Sequence, residues 1–310
     1  MGGQKYRLVT RSDFDGLACA VLMRELDLID TITFVHPKDM QDGLVEVGPN
    51  DITTNLPFVP GVHLAFDHHL SEAERVGGQQ ANHIIDPKAP SAARVVYDHF
   101  GGIERFSKVP QAMMAAVDKA DSADYGIDDI LRPAGWTLLN FLMDPRTGLG
   151  RFRSFRISNY QLMMTLIDYC RDHDVDSILA LPDVAERVEL YFAQEKLFTE
   201  QVKRLAEVHD DVVVLDLREE EVIHAGNRFM IYALYPQARV SMHVLWGLKQ
   251  QNTVFAVGKS IIDRTSPVAV GPLMLEYGGG GHLAAGTCQI PNEDAALVKG
   301  ELIRRLSTPR

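Results

Sequence analysis

The stretch that most constrains this chain is Val62-His63-Leu64-Ala65-Phe66 running directly into Asp67-His68-His69. The apolar run predicts a buried strand, and the polar triplet starts where the strand stops. In an open parallel sheet, ligands bind outside the carboxyl ends of the strands. One acid and two imidazoles at such a point are suitable donors for a divalent cation. Alone, the triplet says little, because any loop can carry Asp-His-His by chance. Its meaning depends on carboxylates at other strand ends and on a phosphate-holding segment further along.

The first of these is present. Residues 6–10 predict a strand, Arg11-Ser12-Asp13-Phe14-Asp15-Gly16 follows, and Leu17–Leu26 predicts a buried helix. Asp13 and Asp15 alternate about Phe14, so both can face one centre in an extended loop. Gly16 permits a close turn. The plainer alternative is that Ser12 or Asp13 only caps the helix. Thr31–His36 and Asp51–Thr54 predict two more strands, the latter ending at Asn55. Helices are expected over Ser91–Phe100 and Gln111–Ala120. The second ends in Asp118-Lys119-Ala120-Asp121, with the two acids three apart on one face. Aspartates at the end of a buried helix are expensive unless paired or bound to a metal.

These signals predict an α/β protein: an amino-terminal, mostly parallel sheet with flanking helices, and a smaller carboxyl-terminal α/β domain with a mixed sheet. The expected division is residues 1–185, a helical linker over 186–208, and residues 209–310. Residues 126–205 read as mostly helical, with Arg151, Arg153 and Arg156 as a small basic cluster taken to be solvated. Val212–Asp216, Phe229–Leu234, Ser241–Trp246 and Thr253–Gly258 read as β-rich. A helix near Val270–Tyr277 leads into Gly278-Gly279-Gly280-Gly281-His282-Leu283-Ala284-Ala285-Gly286, and Asn292–Leu306 closes the chain as a helix. Backbone without side chains can cradle an anion, so Gly279, Gly280, Gly281 and His282 are expected to meet a phosphate, with Lys259 and Arg264 supplying positive charge.

The formal net charge of -11 argues against a broad basic face for long duplex DNA. A short anionic substrate in a local pocket stays compatible with it. The three cysteines lie far apart with no C-x-x-C pair, which predicts core thiols. No apolar run approaches the roughly 20 residues of a membrane span. The start, Met-Gly-Gly-Gln-Lys, lacks a hydrophobic signal core, so a cytoplasmic location without membrane partners is expected. A homo-oligomer is compatible with the sequence.

Taken together, Ser12–Gly16, Asp67-His68-His69 and Gly278–Gly286 resemble the motifs of the DHH phosphoesterase superfamily, in its form with a DHH-associated carboxyl-terminal domain. That group includes RecJ-like nucleases, nano-RNA and pAp phosphatases, and exopolyphosphatase-related proteins. The resemblance covers nearly the whole chain. It implies a metal-dependent phosphoesterase, usually with two manganese ions, acting on a small phosphorylated substrate such as a short oligonucleotide, a bisphosphonucleotide or polyphosphate. By that resemblance Asp13, Asp15 and His68 are metal ligands, and Asp118 or Asp121 is the last acid, with Asp118 preferred. Asp67 is the acid of the triplet, and His69 stands near the substrate. The carboxyl-terminal domain is expected to hold substrate phosphate in a cleft against the first.

The sequence departs from the family pattern twice. Arg11 stands where the family has a histidine, and Asn55 where it has the aspartate that bridges the metals. Each change adds one positive charge relative to the pattern, and the sum of two equals one divalent ion. Arg11 is therefore expected to replace one metal beside Asp13, leaving one Mn2+ or Mg2+. A ligand-binding module that has lost efficient hydrolysis is the rival expectation.

Overall fold

The computed structural model describes residues 4–78 and 80–307. The chain divides into two compact units. The first comprises the chain up to Asp124, Ala134–Pro145 and Leu149–Glu189; the second comprises Tyr125–Pro133, Arg146–Gly148 and the chain from Leu190.

The first unit is built on five parallel strands: β1 (Tyr6–Thr10), β2 (Ile29–Phe34), β3 (Asp51–Thr54), β4 (Leu64–Asp67) and β5 (His83–Ile85). Their order is β2-β1-β3-β4-β5. The register places Thr10 beside Thr54 and Thr54 beside Phe66, so Arg11, Asn55 and Asp67 leave three adjacent strands at one level. The Thr54 hydroxyl donates to the Thr10 hydroxyl at 2.7 Å, joining these ends just below that level. The helix Phe14–Glu25 is buried from Phe14 to Met23, which explains its unbroken apolar run. Gly16 is required by close packing, since a Cβ there would overlap the Arg11 carbonyl oxygen.

The second unit holds a mixed sheet of β6 (Ala206–His209), β7 (Val212–Asp216), β8 (Val240–Trp246), β9 (Thr253–Lys259), β10 (Gly280–His282) and β11 (Ala285–Ile290), in the order β10-β11-β9-β8-β7-β6. Only the β7–β8 pair is parallel; the other four are antiparallel. One face buries Val214, Met242, Val244, Phe255 and Val257 against the helices Val270–Glu276 and Ala295–Leu306. Cys19, Cys170 and Cys288 are buried free thiols, as expected from their spacing. No helix among the described residues is long and apolar enough to cross a membrane.

Three sequence expectations shift. The expected linker is one helix, Pro182–Leu205, and the boundary falls inside it; residues 206–208 instead pair with β7. Two short segments before residue 150 belong to the second unit. The Tyr125 ring packs 6.1 Å from Phe229, and the Gly226 amide donates to the Thr147 carbonyl at 2.9 Å. Phe229–Leu234, expected as a strand, contains the helix Met230–Leu234. A short apolar run has no period to separate the two states. Here the Tyr232 hydroxyl lies 2.7 Å from the Ser241 hydroxyl and donates to the Gly258 carbonyl at 2.8 Å, docking the helical turn on the sheet.

The glycine run is a helix exit followed by a strand. Gly278 turns the chain at φ 75°, and Gly280–His282 pairs with Ala285–Thr287. A Cβ on Gly279 would overlap the Thr287 carbonyl oxygen. Gly279→Ala is therefore expected to destabilise the protein by roughly 2–4 kcal/mol, because backbone rather than a flexible side chain must move. Urea unfolding of the variant checks this, and an unchanged midpoint would contradict the packing account.

Candidate metal and phosphoester site

The carboxyl ends of β1, β3 and β4 gather most of the expected residues. Asp13 caps the helix Phe14–Glu25, accepting from the Gly16 amide at 3.0 Å. It is more than a cap, because its other oxygen pairs with Arg11 Nε at 3.0 Å. Asn55 Nδ2 approaches the same carboxylate at 3.4 Å. Asn55 sits at φ 54°, a left-handed conformation that asparagine tolerates better than most residues.

Asp15 is buried at 3% exposure, so its carboxylate depends on protein donors rather than water. Its two oxygens accept from the amides of Ala92 at 3.0 Å and Ala93 at 2.7 Å. These are the first amides of the helix Ala92–His99, whose Ser91 cap accepts from the Arg94 amide. A helix amino terminus suits a carboxylate, since free amides and the helix dipole both favour negative charge.

Asp15, His68 and Asp121 each bring one donor atom into a cluster in which all three atoms lie within 4.8 Å of one another. His68 Nδ1 lies 3.2 Å from the Ala89 carbonyl oxygen. A carbonyl only accepts, so Nδ1 carries a proton, and Nε2 is the atom that faces the acids and would present its lone pair to a metal. That Nε2 lies 2.7 Å from an Asp121 oxygen, an ion-pair contact without good hydrogen-bond alignment. The buried Asn55 Oδ1 lacks a donor. Such an orphaned group is uncommon in proteins and calls for a partner.

The electrostatics agree. Burial pushes the Asp15 carboxyl well above the usual carboxylate range, and the charges of Asp121 and Asp13 push the same way; His68 and the Ala93 amide only partly oppose this. Burial lowers His68, but the Asp121 contact, the Asp15 charge and the Ala89 carbonyl outweigh it and push the imidazole up to about 9. The cluster thus carries too much negative charge for its depth and recruits a proton to balance it. A divalent cation supplies that charge directly, with oxygen and imidazole donors suited to Mn2+ or Mg2+.

His69 belongs to a different pair. Its Nδ1 lies 2.7 Å from Asp67 Oδ1, and the same oxygen accepts from the His68 amide at 2.8 Å. Asp67 is 2% exposed, so it serves as a fixed internal anchor, while His69 stays partly exposed with Nε2 available. Asp118, preferred from sequence over Asp121, is occupied elsewhere. It accepts from the Ser91 hydroxyl at 2.8 Å and from Arg94 Nε at 3.0 Å. Both aspartates do share a helical face, but the geometry brings Asp121 to His68 and sends Asp118 to Arg94.

Ser91, Arg94 and the Ala92–Ala93 amides escape a reading of the sequence. The available signal is Ser91 at a helix start, and nothing in it says which acid those amides hold. In the second unit, Gly281 and His282 are exposed and Gly280 is half-buried. Lys259 Nζ donates to the Val268 carbonyl at 3.2 Å and Arg264 Nε to the Ile261 carbonyl at 3.1 Å, so both are engaged with their own loop.

A scan against models of protein families finds no match. A search of curated proteins also finds none. Among solved structures, the chain is similar to a pGpG-specific phosphodiesterase, PggH, from Vibrio cholerae, at 59% identity over 97% of this chain and 99% of that one, with a TM-score of 0.88. It is also similar to RecJ from Thermus thermophilus. The complex of RecJ with Mn2+ matches at 16% identity and a TM-score of 0.55, covering 99% of this chain and 53% of RecJ. The complex with Mg2+ matches at 15% identity and a TM-score of 0.51, covering 99% of this chain and 50% of RecJ. Identity that low speaks for the shared fold alone.

Proposed function

This chain belongs to the DHH phosphoesterase superfamily, and from that premise we propose that it hydrolyses the phosphodiester of a short linear guanine dinucleotide, pGpG, to two molecules of GMP. The observation that carries the reading is the locked Asp15–His68–Asp121 donor set in a chain so similar to a pGpG-specific phosphodiesterase. The net charge of -11 also favours a short substrate over a long one.

Asp15, His68 and Asp121 would hold one Mn2+ or Mg2+. When bound, such an ion supplies Lewis-acid polarisation of a phosphoryl oxygen and a lowered pKa for water. Arg11 neutralises Asp13 and takes over the charge of a second ion; its planar fork also fits a phosphoryl oxygen pair. Asp67 fixes the His69 tautomer and ring plane, so His69 Nε2 can exchange a proton with the substrate. Water oxygen bonds to phosphorus as the water's proton passes to His69 Nε2, the bond to the 3′ oxygen breaks, and His69 returns that proton to the leaving 3′ oxygen. The exposed Gly281–His282 stretch supports a phosphate contact in the second unit.

The test is chromatographic product analysis with Mn2+, using pGpG, pApA, pAp and polyphosphate as substrates. Two GMP per pGpG, preference over pApA and loss of turnover in chelator are expected. Binding of pGpG without turnover under either Mn2+ or Mg2+ would replace the hydrolase reading by that of a ligand-binding module.

A further inference from the structure

We propose that the segment Arg151-Phe152-Arg153-Ser154-Phe155-Arg156 is a docking site for the terminal phosphate monoester of the substrate, an inference that rests on the dinucleotide reading above. The chain carries a net charge of -11, yet residues 145–158 contain four arginines and no acid. Within the segment the pattern is consistent. Arg151, Arg153, Ser154 and Arg156 are exposed, whereas both phenylalanines are half-buried.

A merely solvated loop has no need of a rigid base, and this one has it. Arg187, whose side chain is 3% exposed, lies under the segment. It donates to the Asp183 carbonyl at 2.7 Å, to the Ile157 carbonyl at 2.8 Å and to Asn159 Oδ1 at 3.2 Å. Its guanidinium stacks 4.0 Å from the Phe155 ring. The Arg156 amide also donates to Glu186 at 3.2 Å. One buried cation, an expensive group to desolvate, thus fixes the backbone that displays the exposed ones.

The placement within the first unit agrees. The Tyr160 ring packs edge-on against Phe34 at 5.9 Å. Phe34 ends β2 and pairs with Thr10, the residue before Arg11. Tyr160, four residues past the segment, thus anchors the chain at the carboxyl end of the sheet, the end that carries the donor set. Arg156 lies 3.6 Å from Asp183, and Arg151 has interactions of its own, whereas no acid pairs with Arg153 among the described residues. The substrate class has a matching second charge. In pGpG the diester is cleaved, and the 5′ monoester carries about -1.5 to -2 at neutral pH. Arginine meets such a group with two parallel donors.

The experiment compares pGpG with GpG, which lacks the monoester, on the wild type, Arg153→Lys and Arg153→Ala. Binding is measured by calorimetry in Ca2+, and turnover in Mn2+. Wild type is expected to bind pGpG at least about tenfold more tightly than GpG. Arg153→Ala is expected to erase most of that ratio, raising KM for pGpG at constant kcat and leaving GpG and the melting temperature unchanged. Arg153→Lys, which keeps the charge but not the fork, should fall between. Equal binding of the two dinucleotides by wild type, or a ratio that survives Arg153→Ala, overturns the docking site. If the preference is present and depends on Arg153 while neither compound turns over, the hydrolase reading fails and the docking site stands.

Discussion

Asp121→Asn is expected to abolish stoichiometric Mn2+ binding and to lower kcat/KM for pGpG on the order of a thousandfold. The reason is geometric. Asp121 is one of three donors whose atoms lie within 4.8 Å of one another, and no further acid joins that cluster among the described residues. Asp118→Asn makes the informative contrast, three residues earlier on the same helix. It weakens the pairing with Arg94 and Ser91, both partly shielded from water, for an expected loss of about 1–3 kcal/mol of stability. The donor set itself is left intact, so Mn2+ binding should persist. Metal analysis after dialysis, together with thermal melts of both variants, separates the two roles. Retention of the ion by Asp121→Asn and its loss from Asp118→Asn would reverse the assignment.

The double reversion Arg11→His with Asn55→Asp is expected to raise bound manganese from one ion per chain to two. It removes one positive charge and adds one negative charge beside Asp13, a change of -2 that a divalent ion would offset. In the structure Arg11 Nε lies 3.0 Å from one Asp13 oxygen and Asn55 Nδ2 lies 3.4 Å from the other, and this is the observation behind the expectation of one ion. Asn55→Asp alone should destabilise the metal-free protein by about 1–3 kcal/mol, because it sets two carboxylates face to face across that gap, and added Mn2+ should restore the loss. Calorimetric titration with Mn2+ reads the stoichiometry. Two tightly bound ions in the unmodified protein would remove the basis for a one-metal site.

Much of this site is legible without coordinates. Strand ends can be read from apolar runs, and polar residues just past them fall at one edge of a parallel sheet, so Arg11, Asp13, Asn55 and Asp67–His69 can be grouped from the sequence. Direction cannot be read in the same way. Asp118 and Asp121 share a helical face, and only their packing shows which meets His68 and which meets Arg94. The glycine run reads as something other than a linker, and the structure agrees. Its pairing as a strand stays hidden, because four glycines carry no alternation to reveal one. The boundary between the units reads as contiguous, since nothing local marks Tyr125–Pro133 or Arg146–Gly148 as belonging with a later part of the chain.

By itself, the sequence determined the chemical inventory: which donors exist and that a parallel sheet would gather them; the shift of local charge by two at Arg11 and Asn55 follows only from comparison with the family pattern it resembles. It could do so because strand periodicity and residue charge are local properties. Tertiary structure alone decided how that inventory is shared out. It set Asp15 on the Ala92–Ala93 amides, turned His68 Nε2 toward Asp121, and tied Asp67 to His69. The first two choices depend on contacts between residues tens of positions apart, and in all three a buried charge settles on whichever partner best offsets its desolvation.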